Sequence, residues 1–486
     1  MRAWLLLLLV PLAGCLADDG PDLNDVARDV EAAAEDFLVA DHDHADASLH
    51  ASSLNFERVG YTNGFDNSGS ADAIPAGMTY NELAVHGDYA YLVRATPEPG
   101  LSVPTPVCGR VPSPLDGGIP VQHGGFSIIN VADPTDPLVV GTYEALPGAD
   151  IEVSRDGELV FFSTQRNCPN QIAGVLQADN DPSDVLPRGI HIVDVRDPRA
   201  PELVFMQPLP VNGPHTITYG EVANQELLFV STYDLYDDPA GNPAVVAATQ
   251  RVYIFELLRD PASLTDQVSL RLANVFFLTD RGNQGQLVFP HDAIHQTHPT
   301  GRELLYVAYW DKGVQIVDIT DLNGPLPVVD AFTDFSPSSH NAIHLARPFE
   351  EPINGQHITV AQPELISADE TGQITFLDTT LPDDIRKVGT WTLPGELTVH
   401  TFDFSPHNFV LRDAKVFLAH NHAGIWVIDA QDVEQPRSTG YFLDVEPRMD
   451  SPIHQPWFWG TQWATTGELL AVDQSSGLYV LRYTGP

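Results

Sequence analysis

One unit recurs along this chain, and it leaves few folds open. An alternating apolar strand, a turn rich in Asp and Pro, and a second strand appear as "FSIINVADPTDPLVVGTY" from residue 126 and "IHIVDVRDPRAPELVFMQ" from 190. They return as "VYIFELLRDPASL" from 252, "VQIVDITDLNGPLPVVDAF" from 314, "ITFLDTTLPDDIRKVGTW" from 374 and "IWVIDAQDVEQPRSTGYF" from 425. A seventh copy, "LYVLRYTGP", ends at Pro486. Upstream of the copies lie further strands such as "GDYAYLVRA", "DGELVFFST", "QELLFVST", "ELLYVAYW" and "AKVFLAHN". Four strands repeating every 45 to 75 residues are the signature of a β-propeller. Heptads and βαβ alternation are both absent. The pattern predicts an all-β chain, a seven-bladed β-propeller over residues 54–486. The last unit stops after its third strand. The stretch "LNFERVGYT", residues 54–62, reads like the outer strands and is expected to complete that blade. Closure by an N-terminal strand leaves the ring without a free edge.

The residues ahead of the propeller read differently. "MRAWLLLLLVPLAGCLADDG" has one Arg, a short apolar run and small residues, the pattern of a secretory signal rather than a membrane span. "LAGC", Leu12 to Cys15, resembles the bacterial lipobox, in which the Cys becomes the lipidated first residue of the mature chain. The resemblance implies a signal peptide over residues 1–15 and a protein anchored to the cell envelope, outside the cytoplasm, by a lipid on Cys15. Residues 16–53 are read as an acidic, partly helical tether, with helical spacing of Leu23, Val26, Val30 and Phe37. The two remaining cysteines, Cys108 and Cys168, fall on insertions of adjacent blades. An even pair in an oxidising compartment suggests a disulfide.

Charge excludes one class of partner. Asp and Glu number 66 against 24 Lys and Arg, a net charge of −42, which repels nucleic acid and anionic membrane surfaces. The same excess suits solubility in high salt or an acidic secreted protein.

Candidate chemistry lies at the start of the inner strands. His215 of "PHTITY", His291 of "PHDAIH", His340 of "SHNAIH", His407 of "PHNFVL" and His454 of "IHQPWF" align as one column, with Glu82 of "NELAVH" and Asp150 of "ADIEVS" in blades 1 and 2. In a propeller this position lines one mouth of the central channel. Neutral imidazole is the commonest metal ligand, and carboxylates add charge compensation. The column therefore points to a transition metal ion, copper or zinc, or to a small ligand. His291, His340 and His407 are the foremost ligands, and Glu82 and Asp150 are partners of the ligands or of a bound water. The competing reading makes each histidine a loop cap copied by duplication. His295 and His344 follow the column by four residues. His420 and His422 of "AHNHAGIWVID" belong to a loop on the same face, as do the long insertions 96–123, 166–188, 234–250 and 362–371. Functional residues gather on loops held by a rigid scaffold. Nucleophile-elbow, phosphate-loop and His-Glu-x-x-His motifs are absent.

The strand I-V-D-hydrophobic followed by Asp-Pro resembles the LVIVD repeat, clearest in blades 1, 2, 4 and 6. That family consists of secreted or surface propellers, so the resemblance implies fold and compartment and little chemistry. "PHD" and "HNH" are also loosely similar to stretches of the selenium-binding proteins. These are seven-bladed propellers that include methanethiol oxidases and use a His-bound metal, copper. No residue role transfers from them. Three functions stay open: a binding propeller for an ion, small ligand or surface protein; a copper-type oxidoreductase; and an ion-free scaffold or adhesin.

Overall fold

The computed structural model describes residues 23–38 and, from residue 53 onward, the strands and short turns. Segments 76–77, 96–123, 146–147, 165–188, 210–212, 233–249, 261–266, 280–287, 336–341, 365–371, 395–404 and 447–455 lie outside the described residues, as do 1–22 and 39–52.

Seven antiparallel sheets form the blades; in five the strand order follows the chain, and the sheets of blades 6 and 7 each add a strand from residues 53–62. The first strands, Thr79–His86, Gly148–Val153, Thr216–Val222, Asp292–Thr297, Ile343–Pro348, Phe409–Arg412 and Phe458–Trp463, contact one another around the axis and so line the channel. Second and third strands carry nearly continuous apolar burial, as in "LVFFST" and "IWVID", because both faces pack against neighbouring blades. The ring closes as the repeat count requires. Phe56–Thr62 pairs antiparallel with Gly477–Tyr483, with Phe56 opposite Tyr483 and Thr62 opposite Leu478. Leu54 departs from the expectation. Ser53 and Leu54 pair with Phe442 and Tyr441 on the edge of blade 6 instead. Asn55, at φ 60°, turns the chain between the two blades, and its side-chain amide donates to the Thr439 carbonyl. In the helix Leu23–Leu38 two residues of the predicted apolar spacing meet the propeller: Val30 is fully buried and Val26 packs against the hydrophobic cluster of blades 5 and 6, while the side chain of Phe37 lies outside the described residues.

The repeated Asp has a local reason. The side chains of Asp194, Asp318, Asp378 and Asp429 each accept from the backbone N–H two residues on, and Asp133, Asp197, Asp321 and Asp432 do the same in the turn that follows. These Asx turns fix the hairpin between third and fourth strands. The outer strands carry glycine where that hairpin of the next blade presses in. A Cβ on Gly60, Gly141 or Gly389 would sit 2.1, 1.9 or 1.8 Å from the carbonyl oxygen of Pro134, Pro198 or Val433.

Candidate functional site

Strand register, not local sequence, decides which side chains reach the channel mouth. Asp292 pairs with Ala308 at the end of the second strand of blade 4. The equivalent pairs are Thr216 with Ser231 in blade 3, Leu345 with Gln362 in blade 5 and Gly460 with Val472 in blade 7. In blade 6 Phe409 pairs with Leu418, which sets Asn408 at this level. The residues immediately before these positions are His215, His291, His344, His407 and Trp459. They form one continuous arc. His215 and His291 bring their Nε2 atoms to 2.8 Å, so one donates and the other accepts. Ring centroids stand 3.9 Å apart for His291 and His344, 4.4 Å for His344 and His407, and 3.7 Å for His407 and Trp459. Trp310 stacks on His291 from the other side.

The described residues of the arc differ from the expected column in blades 5 and 7. The blade 5 member of the arc is His344, four residues after His340. "HDAIH" and "HNAIH" match by eye. However, the irregular register between Ile343 and Leu345, preceded by Ala342 at φ 46°, carries the later histidine to the level of His291. The blade 7 member is Trp459. His340 and His454 lie outside the described residues, as do Cys15, Cys108 and Cys168. Glu82 and Asp150 stand one step further in than expected, level with Asp292. Asn81 and Ala149 hold the level of the imidazoles in blades 1 and 2.

His295 does not join the site. A strand rises about 3.3 Å per residue, so four residues carry it well down the channel wall. There its Nε2 pairs with Glu303 at 2.8 Å and its ring stacks on Phe229. His420 and His422 occupy the predicted loop between second and third strands, but His420 turns toward Trp391 and His422 stacks on Trp457.

Electrostatics separate the site into two layers. Burial drives the His215 and His407 imidazoles down to about 3, and holds His291 and His344 well below their ordinary value. All four are neutral at pH 7, the form that ligates metal. Two are oriented by partners. His407 Nδ1 donates to the Trp459 carbonyl at 2.7 Å, which leaves its Nε2 lone pair free of hydrogen. His344 Nδ1 accepts from the Gln362 side-chain nitrogen at 2.9 Å, which places the hydrogen of this ring on Nε2. Glu364, at the end of the second strand of blade 5, brings its carboxylate to 3.9 Å from His344 Nε2 and 4.0 Å from His407 Nε2. Donor atoms of His291, His344 and Glu364 all lie within 4.8 Å of one another. Sequence reasoning missed Glu364. Its one signal was its place at the start of the 362–371 insertion.

Beneath the arc is a layer of carboxylates. Burial raises Glu82 to about 8, Glu152 to about 7 and Asp292 to about 6, and raises Asp150 strongly. Arg347 opposes the shift at Glu82, Glu152 and Asp292. Asp150 accepts from the backbone N–H of Ile151 and of Ile217 on the next blade. Asp292 accepts from Ala293 N–H, and Glu82 from the Asn408 amide. Asp292, Glu152 and Arg347 also went unread in the sequence, although Asp292 directly follows His291.

The fold and this mouth define a β-propeller with a polar, His-lined channel entrance, an architecture suited to binding or scaffolding. The LVIVD repeat model matches residues 303–328, the second and third strands of blade 4. No curated protein matches the chain. Among solved structures, the WD40 β-propeller domain of Doa1 is similar over 84% of this chain and 94% of its own, at 7% identity and a TM-score of 0.46. The periplasmic gluconolactonase PpgL of Pseudomonas aeruginosa is similar over 89% of this chain and all of its own, at 14% identity and a TM-score of 0.46.

Proposed function

We propose that this protein is a binding propeller of the cell envelope, held outside the cytoplasm by a lipid on Cys15, that takes a transition metal ion at the arc of His215, His291, His344 and His407. The observation that carries the metal reading is four neutral imidazoles, each touching the next along the arc, with one carboxylate, Glu364, within 4.0 Å of two of them. A nitrogen-rich donor set with one carboxylate suits copper or zinc and is poorly suited to calcium or magnesium. His291, His344 and Glu364 are the core donors. His215 and His407 flank them. A bound ion would supply Lewis acidity at the channel mouth. The Trp459 carbonyl orients His407 with Nε2 free of hydrogen, and the Gln362 side chain would turn its oxygen to His344 Nδ1 to free Nε2 of that ring.

A second reading, an ion-free scaffold, draws on the same contacts. The His215–His291 hydrogen bond and the partners of His344 and His407 satisfy part of the arc internally. Metal analysis separates the two. Protein purified without chelator is expected to carry close to one equivalent of copper or zinc, or to take one up on titration. The triple variant His291→Ala, His344→Ala, His407→Ala is expected to lose it with its β-sheet circular dichroism intact. A wild-type protein that holds no transition metal and gains none selects the scaffold. The anchor has its own test: Cys15→Ser should move the protein from the membrane to the soluble fraction, and a variant that stays with the membrane overturns it.

A further inference from the structure

We propose that Glu82 is a positioning residue that locks blade 1 to blade 6 across the last blade, directly beneath the imidazole arc. The inference rests on the metal reading above only for its binding readout. Glu82 belongs to the first strand of blade 1, directly after the closing strand and its turn, yet its carboxylate reaches back across the ring. Oε1 accepts a hydrogen bond from the Asn408 side-chain amide of blade 6 and lies 3.8 Å from His407 Nδ1. Oε2 lies over Gly460 of blade 7, where a Cβ would be 2.6 Å away. Any side chain at 460 would push the carboxylate out, which accounts for a glycine whose φ is not left-handed. The Trp459 carbonyl completes the joint by accepting from both His407 Nδ1 and the Asn408 backbone N–H, at 2.7 and 3.2 Å. Blades 1, 6 and 7 therefore meet at one carboxylate and one carbonyl. His407 has its ring plane set by that meeting. Glu82 accepts whether or not it carries a proton, so the link does not depend on its charge.

Such a joint makes the last imidazole of the arc depend on ring closure. The outer strand of blade 7 is Phe56–Thr62, and Glu82 follows 20 residues after Thr62 on the same segment of chain. The site is thus assembled by both ends of the propeller sequence.

Two variants and two readouts test this. Glu82→Ala removes the acceptor, and Glu82→Gln keeps it. In the metal-free protein, amide hydrogen exchange at Asn408 and across 459–461 is expected to speed up in Glu82→Ala and to stay at the wild-type rate in Glu82→Gln. In zinc titrations against a chromophoric chelator, Glu82→Ala is expected to bind about ten- to a hundredfold more weakly, with Glu82→Gln close to wild type. Unchanged exchange in Glu82→Ala, or a Glu82→Gln variant as perturbed as Glu82→Ala, overturns the proposal. A wild-type protein that binds no zinc counts against the metal reading, and the exchange comparison still decides the role of Glu82.

Discussion

His291 and His344 face each other across the boundary of blades 4 and 5 with ring centroids 3.9 Å apart, both at the residue before the strand enters regular pairing. Two buried neutral imidazoles at that separation gain little from each other, and His291 Nε2 already shares a hydrogen with His215. Glu364, 3.9 Å from His344 Nε2, is the nearby group able to balance an arriving cation. Glu364→Gln keeps the shape and removes the charge. It is expected to lower copper or zinc affinity by about ten- to a hundredfold with the melting temperature little changed. Calorimetric titration checks this, and equal affinity would take Glu364 out of the donor set.

Blade packing gives a prediction of stability. Gly141→Ala places a methyl where the Pro198 carbonyl oxygen now lies, 1.9 Å away. Relief requires the two blades to separate, so a loss of about 1–3 kcal/mol is expected from overpacking. Gly324→Ala is the control, since its nearest neighbour is a side-chain oxygen at 3.8 Å. Denaturant unfolding of the two variants should differ clearly in midpoint.

The ring seam can be loosened at one residue. Phe56 opens the closing strand, is 8% exposed and packs edge-on against Phe442 and Tyr483. Phe56→Ala is expected to cost about 3–5 kcal/mol through lost burial and the cavity left behind. Exchange protection should fall first in Gly477–Tyr483, its pairing partner. Protection lost uniformly around all seven blades would contradict a local seam.

The channel carboxylates set a pH signature. Glu152 is raised from an ordinary 4.5 to about 7 by burial, partly opposed by Arg347. A group whose folded value is raised contributes stability that is full below its unfolded value and is lost as pH climbs through the folded one. Wild type therefore loses this contribution between pH 4.5 and about 7, whereas Glu152→Gln has nothing to lose. The melting temperature of Glu152→Gln relative to wild type is expected to rise across that window and level off above it. A difference that stays flat from pH 4 to 8 would mean that Glu152 is not held neutral by its surroundings.

The sequence by itself determined the architecture. Asp-capped hairpins such as that of Asp318, and outer strands ending in the "VGTY" type, are written in local periods of two and in turn chemistry, which depend only on nearby residues. Counting them yielded seven blades, and the incomplete seventh required Phe56–Thr62. The composition of the channel mouth was legible in outline for the same reason, since histidines recur at strand starts. Only the tertiary structure decided which ones meet. A one-step irregularity in pairing moves every following side chain to the other face of the sheet. The shift at Ile343 set His344 at the mouth, one in blade 7 set Trp459 there, and those at the start of blades 1 and 2 moved Glu82 and Asp150 inward. Glu364 and Arg347 acquire their meaning from neighbours on other strands and other blades, through contacts that no local pattern encodes.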